Sequence, residues 1–147
     1  MSEHINPETL AKEAEARLSE ITKGCAGAPA MKPKDRLGIP PQPMPEQDPH
    51  RRRENIKEVA LGYTEAQARL EALRCLQCKN APCMEGCPVR IDIPGFVAAI
   101  ADGDYQKSID IIKRNSLLPA VCGRVCPQET QCQEPCTVGK SLKDKLK

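Results

Sequence analysis

The chain of 147 residues has no tryptophan and only three aromatic residues, Tyr63, Phe96 and Tyr105. Aromatic side chains supply much of the buried area of an ordinary core, so a domain-length chain of this composition is poorly equipped to hold itself together by apolar burial alone. No apolar run approaches the roughly 18 residues that span a bilayer. The start, Met-Ser-Glu-His-Ile-Asn-Pro-Glu, lacks the basic end and apolar stretch of a secretory signal. The expectation is therefore a cytoplasmic protein with no membrane partner. A net charge of +2 is too small to call for nucleic acid. Neither histidine is well placed for catalysis, since His4 lies in a terminus and His50 at the end of a proline-rich stretch.

What the chain has instead is nine cysteines and fourteen prolines. Domains with thin cores rely on staples, either disulfides or metals. In a reducing compartment multiple cysteines read as metal ligands, and nine thiols cannot all pair.

Seven of the prolines fall within residues 24–50, at positions 29, 33, 40, 41, 43, 45 and 49. Each removes a backbone donor and fixes φ, so the expectation is an extended strap free of helix and central strand, lying along a surface or mobile. Cys25 at its entrance reads as a passive free thiol. Ahead of the strap, residues 7–22 carry Leu10, Ala14, Leu18 and Ile21 at helical spacing, with Gly24 as a stop. This amphipathic helix is expected to dock on a partner or on the rest of the domain. Arg51, Arg52 and Arg53 read as a solvated run.

Order is expected to return with a short helix over Glu54 to Leu61, ending at Gly62. Thr64 and Gln67 have the form of a capping box opening a helix with Ala66, Leu70 and Leu73 on one face. Pro94 suits the first turn of a helix reaching Ala101, broken at Asp102 and Gly103. Asp104 then caps a helix with Tyr105, Ile109 and Ile112 on one face. Nothing alternates with period two, so the fold class is all-α, a small helical domain with long loops.

Eight cysteines form two groups of four. The first is Cys75, Cys78, Cys83 and Cys87-Pro88; the second is Cys122, Cys126-Pro127, Cys132 and Cys136. Both contain Cys-x3-Cys-Pro, which suggests a pseudo-repeat around two centres. Structural zinc favours closely spaced cysteine pairs, and only Cys75 and Cys78 have the two-residue gap. Bacterial ferredoxins end their motif in Cys-x3-Cys-Pro, where the cysteine before proline serves the other cluster. Two [4Fe–4S] clusters are thus the leading reading, with two zinc ions and disulfides as alternatives. Each such cluster on four thiolates carries about −2 when oxidised, so two would turn +2 into about −2.

The runs Glu58–Tyr63, Arg74–Cys83, Gly86–Val89 and Ile91–Phe96, followed by Cys122–Pro127 and Cys132–Cys136, closely resemble the N-terminal part of the glutamate synthase small subunit family. Related modules begin dihydropyrimidine dehydrogenase and the flavin subunit of NADH-dependent ferredoxin:NADP oxidoreductase. The resemblance covers about residues 45–140. It implies a helical domain with two [4Fe–4S] clusters in crossed ligation, one on Cys75, Cys78, Cys83 and Cys136, the other on Cys87, Cys126 and Cys132. It further implies a fourth ligand for the second cluster from a Gln or Glu well beyond the last cysteine. The eleven residues after Cys136 contain neither. Cys122 is the in-chain candidate, but the resemblance makes it a structural thiol. The expected divisions are a helix over 1–23, a proline-rich linker over 24–53, the di-cluster domain over 54–140 and a tail over 141–147.

No catalytic machinery is identifiable in the chain itself, and no Gly-x-Gly-x-x-Gly fingerprint occurs. The expectation is an N-terminal domain of a longer oxidoreductase, with a standalone module as the alternative. In the enzymes it resembles, NADPH and FAD belong to other domains, and clusters conduct electrons to a glutamate synthase large subunit. The expected partners are those flavin and NADPH domains and a large-subunit-like chain, with the strap and first helix available to grip a partner. Short apolar residues (Ala81, Val89, Ile91, Val121 and Val125) are expected to shield the thiolates from water. The reading of a different class is a zinc-stapled interaction module with no redox role.

Overall fold

The structure is a computed structural model that describes residues 6–23, 25 and 27–140. Gly24 and the tail over 141–147 lie outside the described residues, as does His4. Among the described residues there are helices and no strand.

Helix α1 (Pro7–Ile21) starts where Asn6 accepts a hydrogen bond from the Glu8 N–H, with proline in the first turn. It buries Ala14 and Leu18. Helix α3 (Glu65–Leu73) opens with the expected capping box: Gln67 N–H donates to Thr64 Oγ1 at 3.3 Å, and Thr64 N–H donates to Gln67 Oε1 at 3.0 Å. Gln67 is fully buried and its Nε2 also donates to Pro43 O at 3.4 Å. Helix α5 (Ile93–Asp102) is capped by Asp92 and ends at Gly103, whose φ of +83° suits glycine. Helix α6 (Tyr105–Lys113) is capped by Asp104, which accepts from Lys107 N–H at 2.9 Å.

Packing runs in a chain, α1 on α3, α3 on α5 and α5 on α6. Leu70 and Leu73 of α3 have no exposed surface, and Ala14, Leu18, Ile39, Ala66, Ala72 and Ala101 complete the core around them. Small residues let the helices approach closely, which is how a chain with three aromatics still forms a core. The first helix thus docks on its own domain.

The strap lies along this body. Ala28 N–H donates to Asp102 Oδ1 at 2.9 Å, Ile39 inserts into the core, and Gln42 N–H donates to Glu71 Oε2 at 2.9 Å. Tyr63 closes the path from the other side, donating its hydroxyl to Gln42 O at 2.8 Å.

Four expectations need correction. The strap is not free of helix: α2 (Pro33–Leu37) forms one turn, because Pro33 falls at the first helical position, where its missing N–H is no loss. The same device starts two short helices that periodicity did not signal, α4 (Pro82–Glu85) and α7 (Pro119–Val125). Residues 55–61 form no helix. A 3-10 turn over Arg51–Glu54 leads into extended chain, and Ala60 bridges antiparallel to Glu46. There Gln47 Nε2 takes the carbonyls of Lys57 and Glu58, groups a helix would have used itself. Finally, α6 buries Ser108 and Ile111, while Tyr105 stays exposed and Ile109 and Ile112 are half-buried. Its packed face is rotated toward α5.

Candidate metal centre

Helix α3 delivers the first thiol. Its C-cap Arg74 is buried against Glu71, and Cys75 follows at once. The loop beyond holds three non-glycine residues at positive φ: Gln77 at +52°, Ala81 at +30° and Arg90 at +52°. Such conformations cost of order 1–3 kcal/mol each and gather at functional sites. Here their effect is visible. The Gln77 N–H reaches the Cys75 sulfur, and its side chain donates to Pro94 O at 3.2 Å, fixing the loop to the start of α5. Ala81 is the N-cap of α4, which carries Cys83, and the N–H groups of Cys83 and Met84 lie at the Cys83 sulfur.

Glycines let the second group fold back onto the first. A Cβ on Gly86 would lie 2.5 Å from Gln131 O and 3.0 Å from Pro135 Cγ. Gly86 precedes Cys87 and Gln131 precedes Cys132, so this backbone contact sets those two cysteines side by side. Gly139 makes a similarly close approach within the second group, with a Cβ placed 2.6 Å from Gln133 O and 3.7 Å from Cys136 Cβ.

The electrostatics sort the thiols into two sets. Burial pushes Cys75 up; the Gln77 N–H opposes this, the thiols of Cys136 and Cys78 add to it, and Arg36 opposes it. Burial pushes Cys83 up to about 11, helped by Cys136 and Cys75. In the other set burial raises Cys132, its own N–H opposes, and Cys87, Cys126 and Cys136 raise it further. Cys126 is raised by burial, then by its neighbour Cys122, with which it is hydrogen-bonded, and by Cys87. Cys136 and Cys132 feel one another, so the sets adjoin.

Among the described residues no three Cys, His, Asp or Glu side chains close to the spacing of a single bound metal ion. A [4Fe–4S] cluster takes one thiolate on each of four irons, so its ligands stand farther apart than those around one zinc ion. Reduced, half-buried thiols with backbone N–H groups at their sulfurs fit that group.

Cys25 is a free, exposed thiol. Cys122 projects from α7 beside Cys126, with Ser116 Oγ 3.9 Å from its sulfur. Among the apolar residues expected to shield the thiolates, only Ala81 is buried; Val89, Val121 and Val125 are exposed and Ile91 is half-buried. Val121 and Val125 both lie on α7 and are open to solvent there. Arg51, Arg52, Arg53 and His50 are exposed. Four contributors were not singled out in the sequence. Gly86 could have been found from its position before Cys-Pro. Gln77, Ser116 and Arg36 carry no such signal.

A family model described as dihydropyrimidine dehydrogenase domain II, 4Fe-4S cluster, matches residues 52–146. The chain is similar to the NAD-dependent dihydropyrimidine dehydrogenase subunit PreT homolog of Salmonella typhi, 40% identical over 56% of the chain and 20% of that relative. It is also similar to the glutamate synthase [NADPH] small chain of Halomonas elongata, 37% identical over 64% of the chain and 20% of the relative. With the NADPH-Fe(3+) oxidoreductase subunit beta of Geobacter sulfurreducens it shares 53% identity over 37% of the chain and 8% of the relative. The chain thus matches a fifth or less of the length of these relatives. Among the described residues no helix is long and apolar enough to cross a membrane. Matched over well more than half its length, the chain belongs to the 4Fe-4S family of dihydropyrimidine dehydrogenase domain II, a domain whose cofactor is iron–sulfur and whose general work in oxidoreductase subunits is electron transfer.

Proposed function

We propose that the chain is the electron-transfer domain of an NADPH-dependent oxidoreductase of the glutamate synthase type, holding two [4Fe–4S] clusters. Cys75, Cys78, Cys83 and Cys136 hold the first. Cys87, Cys126 and Cys132 hold the second, with its fourth ligand supplied from outside the described residues or, as the alternative, by Cys122. When bound, these clusters supply one-electron carriage. The protein's part is to hold the thiolates apart in two adjoining sets, to aim N–H groups at sulfur, and to keep the first set half-buried. The observation that supports this reading most is the close approach of Gly86 to the Gln131 carbonyl, which brings Cys87 of the first sequence group beside Cys132 of the second; Cys136 bears on Cys75 and Cys83 as well as on Cys132.

Flavin and NADPH domains of a longer parent chain are the proposed neighbours, because the relatives extend far beyond the shared stretch. Leu117, Leu118, Val121 and Val125 form an exposed apolar face beside the second set, and this is where those domains would dock. A large-subunit-like partner would receive the electrons. Anaerobic reconstitution with iron and sulfide tests the reading. The expected product is brown, holds about eight irons and eight labile sulfides per chain, and bleaches with dithionite. A colourless protein that binds two zinc ions and no sulfide overturns it.

A further inference from the structure

The strap contributes a charge to the first thiol set. Arg36, at the end of the α2 turn, is half-buried. Its Nη1 donates to Leu73 O and to Cys75 O, both at 3.0 Å. Leu73 is the last residue of α3, so one acceptor is an orphan carbonyl at the negative end of a helix dipole. The other belongs to the first cysteine itself. A single guanidinium therefore ties the strap, the end of α3 and the Cys75 backbone together. Arg36 lies outside the matched family stretch of residues 52–146.

Among the described residues Arg36 makes no ion pair. Arg74, the neighbouring guanidinium, is paired with Glu71. Arg36 is held by carbonyls, which orient it, and since one of them belongs to Cys75 its positive charge is kept beside that residue. An added electron makes the cluster–thiolate unit more negative, so a fixed cation at its edge favours the reduced state. Second-shell groups of this kind both aim a ligand and tune the metal.

We infer that Arg36 is a positioning residue that orients Cys75 through its carbonyl and raises the reduction potential of the first cluster, leaving the second cluster unaffected. The inference rests on the proposed assignment of Cys75 to that cluster. It also gives the strap a function: the N-terminal segment carries part of the redox tuning.

The test is an anaerobic, EPR-monitored redox titration of the full reconstituted chain. Two variants are compared with the unaltered protein, Arg36→Gln, which removes the charge, and Arg36→Lys, which keeps it. In R36Q the reduced-to-oxidised ratio of the first cluster at a fixed potential should fall about ten-fold, equivalent to about 59 mV for one electron. R36K should recover at least half of that shift, and the second cluster's midpoint should stay put in both. Unchanged midpoints in both variants overturn the inference, and so does an equal shift in R36Q and R36K, which marks a structural role without charge. Should R36Q fail to retain the first cluster, R36K decides. A midpoint at the unaltered value upholds the inference, and a loss of cluster or a ten-fold fall overturns it. Failure of the unaltered chain to take up any cluster instead strikes the functional reading itself.

Discussion

The two sets of thiols sit in unlike surroundings. The first stands at the end of a helix whose Leu70 and Leu73 are fully buried, under a strap that reaches it through Arg36, with Gln77 and Met84 N–H groups at its sulfurs. The second hangs on α7 and a 3-10 turn over Gln128–Thr130, with Leu117, Leu118, Val121 and Val125 open to solvent. One group of thiols is built into the fold, and the other adjoins an exposed apolar helix. Cluster potential responds to burial and to hydrogen bonds at sulfur. Thiols drawn from one cysteine-rich sequence can therefore sit in electronically distinct surroundings according to what packs around them.

The contrast is tested most forcefully in the core. Leu70 is fully buried between α1 and the thiol-bearing end of α3, so Leu70→Ala should destabilise the domain by about 2–5 kcal/mol in chemical denaturation. The first cluster should also bleach in air faster than in the unaltered protein, with the second less affected. Equal acceleration of both would mean that the packed side gives the first set no special protection.

Next in size is the joint between the sets. Gly86→Ala places a methyl group 2.5 Å from Gln131 O, a backbone atom with little freedom to move. The expected result is a loss of about 1–3 kcal/mol and reduced iron at both centres, since Cys87 and Cys132 are spread apart. An alanine variant that loads iron fully would show that the two loops need not touch.

A third expectation concerns pH in the metal-free chain. Burial holds Cys83 at about 11, above the ordinary 9.0, and also raises Cys75, Cys126 and Cys132. A raised thiol favours the neutral form in the fold. Its stabilisation is complete below about pH 9 and is lost as pH rises toward 11. The apo chain's Tm should therefore drop across that window, and Cys83→Ser should flatten the drop more than Cys132→Ser does. A Tm that is level from pH 9 to 11 would contradict the burial of the first set.

Much of this arrangement was legible in the sequence because it depends on local chemistry. The Thr64 and Gln67 capping box, the Asp104 cap and the Gly103 stop each act within four residues, and each appears in the structure. The all-α class followed from the same signals. Residues 54–61 were misread because Gln47, lying in the strap, takes the carbonyls of Lys57 and Glu58. Such a long-range claim on the backbone leaves no periodic trace. Arg36 escaped for the same reason, since a lone arginine among prolines gives no hint that it meets the carbonyls of Leu73 and Cys75. The valines of α7 were expected to be covered because short apolar residues near thiols usually are. Whether they are covered depends on a neighbour that local pattern cannot supply.

The smallest effect is expected at Cys122, and it bears most directly on what the exposed set needs. Cys122 lies one helical turn before Cys126 and is hydrogen-bonded to it, with the buried Ser116 hydroxyl on its other side. A serine keeps the size and the hydrogen-bonding capacity of that thiol while removing a good iron ligand. If Cys122 only buttresses Cys126, then Cys122→Ser should leave iron content, EPR line shape and midpoints unchanged, with stability within about 0.5 kcal/mol. If it is instead the fourth ligand of the second cluster, the same variant should lose that cluster's signal or convert it to a three-iron species, while the first cluster's spectrum persists. The internal reference makes the result decisive, because both centres are read in one sample. An unchanged spectrum would exclude Cys122 as that ligand and favour one from outside the described residues. The exposed surface beside the second set would then be a requirement, since a ligand arriving from elsewhere needs an open side by which to reach the iron.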